Sequence, residues 1–92
     1  MSDEEIGSYC SVHPEWQFID NQLVREGTAE SFLMAIDWVN QVAQIAENLD
    51  HHPDIDIRWR TVRFMLSTHS AGGVTQRDFE LADRINEVLA AR

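Results

Sequence analysis

Three of the four histidines in this 92-residue chain fall at two places. His51 and His52 sit in the run Asp50-His51-His52-Pro53, and His69 sits in Ser67-Thr68-His69-Ser70. Imidazole titrates near neutrality, so a group of them can both give and take protons at physiological pH. Acidic residues, Glu47 and Asp78, accompany both places. Three histidines and an acid would also suit zinc in principle. Against that, the adjacent side chains of His51 and His52 diverge in extended backbone and make a poor chelating pair. Two neighbouring loop histidines are, on their own, usually just solvated. Glu47 reads equally as an exposed helix residue, Asp78 as a helix cap, and Trp59 and Ser67 as structural residues. His13 lies apart and receives no role.

These residues need elements to hold them. Ser2-Asp3-Glu4-Glu5 carries a capping-box pattern and predicts a short helix ending by Val12, since Pro14 disfavours helix at His13. Trp16–Ile19 and Gln22–Arg25 flank Asp20-Asn21, a pair that tolerates the positive φ of a tight hairpin turn. Thr28 is expected to cap the longest helix, Ala29 to Leu49. Pro53 stops that helix, which places His51 and His52 in the loop after it. Ile55, Ile57 and Trp59 alternate with polar residues, then Val62, Phe64 and Leu66 alternate in the opposite phase. A continuous strand keeps its phase, so a turn or bulge near Arg60-Thr61 is required. Strands at Ile55–Trp59 and Val62–Thr68 follow, with His69 just beyond. Ala71-Gly72-Gly73 reads as a loop, and Thr75 caps a final helix with Asp78 at its third position. Phe79, Ala82, Ile85, Val88 and Leu89 make the inner face of that helix.

The order is therefore α-β-β-α-β-β-α. It implies an α+β fold in which a four-stranded antiparallel sheet has its helices packed on one face. A single domain spanning residues 1–92 is expected. The long helix has two apolar stripes, Phe32-Ile36-Val39-Ala43-Ala46 and Met34-Trp38-Val42-Ile45-Leu49. Together they cover an arc of roughly 200°, about twice what one sheet contact requires. Either the last helix or another subunit must cover the surplus. In a monomer, Met34 and Trp38 are expected to face water, with Val42 and Ile45 completing a subunit contact.

The net charge of −9 argues against a nucleic-acid backbone as partner, since there is no basic patch. No apolar run is long enough to span a bilayer. The lone Cys10 suits a reducing compartment, and the first residues carry no basic leader, so a cytoplasmic protein without a membrane association is expected.

The spaced set Glu47, His51, His52, Pro53, Trp59, His69, Asp78 resembles the signature of the pterin-4a-carbinolamine dehydratases. Its flanks, Leu66-Ser67-Thr68-His69, Ala71-Gly72-Gly73 and Arg77-Asp78, agree with it, and the resemblance runs from about Trp16 to Leu89. The resemblance implies the same α+β architecture and conversion of a 4a-hydroxytetrahydropterin to quinonoid dihydropterin and water, within tetrahydrobiopterin recycling. It implies a catalytic trio of His51, His52 and His69, and substrate contacts from Asp50, His51, His52, Ser67, Thr68, His69 and Ser70. Glu47 and Asp78 match supporting acids. No metal and no cofactor are implied. A homodimer or homotetramer is implied, joined through the Ala29–Leu49 helix and the sheet edges. The chain departs from the pattern at Ile55-Asp56, where many relatives carry an aromatic residue. Some relatives act instead as dimerisation cofactors or assembly proteins, so a non-catalytic binding module is the alternative.

Overall fold

A computed structural model describes residues 1–91. The first helix, α1 (Asp3–Val12), begins with the expected reciprocal cap between Ser2 and Glu5. Strands β1 (Gln17–Ile19) and β2 (Gln22–Thr28) flank Asp20 and Asn21, whose φ values are 51° and 62°. Both central residues of the hairpin turn are thus left-handed, as a twist-matched two-residue turn requires. Helix α2 spans Phe32–Leu49, then β3 (Asp54–Arg58) and β4 (Thr61–Leu66) form the second hairpin. A single 3-10 turn, His69–Ala71, leads to α3 (Gln76–Ala90).

Several boundaries differ from expectation: β2 runs three residues past Arg25, and β4 ends at Leu66 rather than Thr68. The long helix starts three residues later, capped by Ser31 rather than Thr28. Thr28 is the last residue of β2, paired with Thr61, and the two hydroxyls lie 3.1 Å apart. Pairing with β4 carries the strand through a position whose local chemistry favours a cap. The second hairpin turns at Trp59-Arg60, with Trp59 at φ 53°, one residue ahead of the expected break.

The sheet order is β1-β2-β4-β3, with every neighbouring pair antiparallel. Leu23 opposite Leu66, Gly27 opposite Val62, and Ile55 opposite Phe64 turn one face toward the helices. That face and the inner sides of α2 and α3 form the core, centred on Val42, Val62, Phe64, Leu66, Leu81 and Ile85. α1 is fastened to α3 by Tyr9, whose ring stacks on Phe79 at 4.3 Å and whose hydroxyl donates to Asp83 at 2.7 Å. Trp16 is buried and donates its indole N–H to Asn86 at 2.8 Å.

The surplus apolar arc of α2 is distributed differently from expectation. Trp38 is 6% exposed and Val42 fully buried within the single chain, and Met34 and Ile45 pack against the core. α3 covers this stripe: Trp38 and Leu89 meet over Gly27, where an added Cβ would lie 3.3 Å and 2.7 Å from them. The other stripe is left outside in part, although Ala46 is buried and Val39 packs against the core. Phe32 is 49% exposed, Ile36 and Val39 are half-buried, and Ala43 is exposed.

Candidate active site

The site begins where α2 stops. Asp50 adopts the left-handed conformation (φ 51°, ψ 43°), which short polar side chains tolerate better than most. The Asp50 N–H donates to Glu47 O at 3.2 Å and the His51 N–H to Ala46 O at 3.0 Å, closing the last turn. Arg77 fixes this stop from outside by donating to the Asp50 carbonyl. The reversal turns His51 inward and leaves His52 outward.

His51 is 8% exposed and Asp78 is fully buried. His51 Nε2 lies 2.5 Å from Asp78 Oδ1. The other carboxylate oxygen accepts from the Thr68 hydroxyl and from the Thr75 N–H, each at 2.8 Å. Thr68 and Thr75 hydroxyls are themselves 2.8 Å apart. A buried carboxylate is tolerable only when hydrogen-bonded, and Asp78 has partners on both oxygens. An ionised carboxylate can only accept, so His51 presents Nε2–H to it and keeps Nδ1 as the ring's second proton site. Asp78 therefore caps α3 and braces His51 at once.

His52 is exposed, and its Nε2 lies 3.4 Å from Glu47 Oε1 one helical turn back. Solvent competes for both groups, so this pairing orients the ring weakly. His69 opens the 3-10 turn and is exposed. With Ser67 it lines a cleft of about 270 Å³ whose other walls are Asp20, Asn21 and Gln22 of the first hairpin turn and Gly72-Gly73. Ser70 is exposed on the same turn, and Asp50 is exposed at the helix stop.

The structure thus brings His51 and the Ser67–Ser70 segment together through Asp78 and Thr68, which immediately precedes His69. Neither His51 nor His52 lines the His69 cleft. Thr68, expected to contact substrate, is buried with its hydroxyl committed to Asp78 and Thr75. Three contributors escaped sequence reasoning. Thr75 announced itself only as a cap, Arg77 only as a flanking residue, and Asn21 only as a turn residue. Among the described residues, no three His, Cys, Asp or Glu side chains converge as a metal-binding set.

With this geometry in view, comparison with known proteins is decisive. The family profile described as Pterin 4 alpha carbinolamine dehydratase matches residues 1–88. The chain belongs to that family. A relative from Nocardia farcinica, provisionally named a pterin-4-alpha-carbinolamine dehydratase, is 52% identical over 88 residues, covering 96% of this chain and 93% of its own. A Mycolicibacterium smegmatis relative with the same provisional name is 44% identical, covering 98% and 96%. Among solved structures, a transcriptional coactivator/pterin dehydratase from Brucella melitensis superposes with a TM-score of 0.93 at 29% identity, covering 98% of both chains. A pterin dehydratase-like RuBisCO assembly factor of the alpha-carboxysome shares the fold at a TM-score of 0.67 and 17% identity, over 84% of this chain and 89% of its own.

Proposed function

We propose that this protein dehydrates a 4a-hydroxytetrahydropterin to quinonoid dihydropterin and water, with His51, His52 and His69 sharing the proton transfers. The leaving hydroxyl takes up one proton and departs as water. The neighbouring ring N–H gives up one proton as the C=N bond forms, so the step is balanced without any electron transfer. An imidazole ring can donate a proton or accept one, so histidines can serve both ends. No metal takes part.

The observation that carries this reading is the buried His51–Asp78 contact at 2.5 Å. An imidazole held by a satisfied carboxylate is fixed in orientation, which suits a proton-transfer group better than a mere core residue. His69, beside Ser67, is the second proton-transfer group, and His52 with Glu47 the third. Asp50, Ser67 and Ser70 contact the pterin together with the histidines, while Thr68 supports them from behind through Asp78. A cytoplasmic role in tetrahydrobiopterin recycling after aromatic hydroxylation is consistent with this activity and with the lone thiol of Cys10. Incubation of synthetic 4a-hydroxytetrahydropterin with chelator-treated protein should speed the appearance of quinonoid absorbance. Recovery of a lost rate by zinc would instead make the reaction metal-dependent.

The same reading includes assembly. The flank of α2 formed by exposed Phe32 and Ala43 and half-buried Ile36 is a surface that a second copy would cover, giving a homodimer or homotetramer completed through the sheet edges. The described residues contain no helix long and apolar enough to cross a membrane. The Brucella melitensis protein is also described as a transcriptional coactivator, which favours a partner-binding role as the second reading. A protein that binds pterin without turning it over would fit that role.

A further inference from the structure

We propose that Asn21 is a positioning residue for His69: its side-chain amide holds the far end of the His69 turn and so sets where that imidazole stands in the cleft. The functional half of this inference rests on the dehydratase reading above. The geometric half does not.

Asn21 lies in the β1–β2 turn, 51 residues from the segment it touches. Its Nδ2 donates to the Gly72 carbonyl at 2.7 Å. The Gly72 N–H donates in turn to the His69 carbonyl at 3.1 Å, so Gly72 is tied to His69 on one side and to Asn21 on the other. Gly72 has φ 70°, the left-handed conformation that lets the chain reverse here. The backbone of Gly73 runs directly under the amide: a Cβ on Gly73 would lie 3.1 Å and 3.2 Å from Asn21 Oδ1 and Nδ2. At its base, the loop is closed by the paired bonds between Thr68 and Gly73, at 2.8 Å and 3.3 Å. The turn carrying His69 is therefore fixed at both ends, by Thr68-Gly73 below and by Asn21 above.

The hairpin does not need this amide. At φ 62° a glycine would serve the turn as well or better. What Asn21 adds is the contact with the His69 loop. The bond is solvent-exposed, so its loss should hardly alter global stability, whereas an imidazole out of place by a fraction of its own width loses proton-transfer geometry.

Asn21→Gly is the test, because it removes the donor and keeps the turn. Turnover should fall roughly ten- to a hundredfold, with the unfolding midpoint nearly unchanged. In a His69→Ala background the same change should have little further effect, because the two residues act through one group. Histidine-selective NMR supplies the readout independent of turnover. The His69 imidazole signals should move in Asn21→Gly and in Asn21→Asp, which turns an acceptor toward the Gly72 carbonyl, while the His51 signals stay in place. Unmoved His69 signals would overturn the positioning claim, as would an equal fractional loss of activity in both backgrounds. If the unaltered protein shows no dehydration, the functional reading falls. Moved His69 signals would then still support the coupling, and unmoved ones would still refute it.

Discussion

His51 Nε2 and Asp78 Oδ1 lie 2.5 Å apart across 27 residues of sequence, joining the stop of α2 to the first turn of α3. Asp78 performs two jobs with its two oxygens, and the jobs should separate under mutation. Asp78→Asn keeps the shape but offers an amide where His51 needs an acceptor. Turnover should fall about ten- to a hundredfold while the chain still folds. Asp78→Ala removes the N3 half of the capping box as well and leaves His51 Nε2 and the Thr75 N–H without their acceptor. It should cost roughly 2–4 kcal/mol, read from the urea midpoint. Full turnover in Asp78→Asn would mean that the carboxylate serves only the fold.

The histidines should not be equivalent. His51 is buried and braced, whereas His52 is exposed and paired with an exposed acid. His51→Ala should therefore cost more than His52→Ala, within the span of about 10²–10⁴-fold usual for acid–base groups. Steady-state kinetics on the two variants decides it; an equal or reversed order would show that burial does not mark the principal group.

Assembly and core should respond to different residues of α2. Phe32→Glu places a charge on the open flank and should reduce the assembled mass in light scattering while the chain stays folded. Trp38→Glu buries an unpaired charge between α2 and α3 and should unfold the chain rather than dissociate it. A monomer mass for the unaltered protein would show that the Phe32 flank stays bare.

Tyr9 is the single tyrosine, so its ionisation can be followed without interference. Burial, and then the hydrogen bond to Asp83, push its phenol well above the ordinary range. The folded state therefore favours the neutral form. The stability it contributes is complete below the free phenol value of about 10 and is lost as the pH climbs above it. Tyrosinate absorbance should stay flat through that value and rise only together with loss of native circular dichroism. Tyrosinate formed in a fully native protein near pH 10 would mean that α1 is not held by this contact.

Much of this fold was legible because its signals are local. The caps at Ser2 and Thr75, the Asp20-Asn21 turn and the phase slip before Val62 each depend on residues a few positions apart. The misread features all depend on partners distant in sequence. Thr28 has good capping chemistry, but its pairing with Thr61 keeps it in β2. Trp38 looked like a subunit contact because nothing in α2 itself reveals that Leu89 lies over it. The site divides in the same way. The histidines and acids stood out by type and spacing, whereas the Thr68 brace, the Arg77 hold on Asp50 and the Asn21 clamp exist only once the chain has folded.

The central claim is that His51 and His69, joined through Asp78 and Thr68, move the protons of dehydration. The most direct measurement is the rate of quinonoid dihydropterin formation by the folded His51→Ala/His69→Ala double variant beside the unaltered protein. The expected result is a clear acceleration by the unaltered protein, and a loss in the double variant greater than in either single variant, approaching the uncatalysed rate. Turnover by a folded double variant equal to that of the unaltered protein would contradict the assignment of these imidazoles as the catalytic groups.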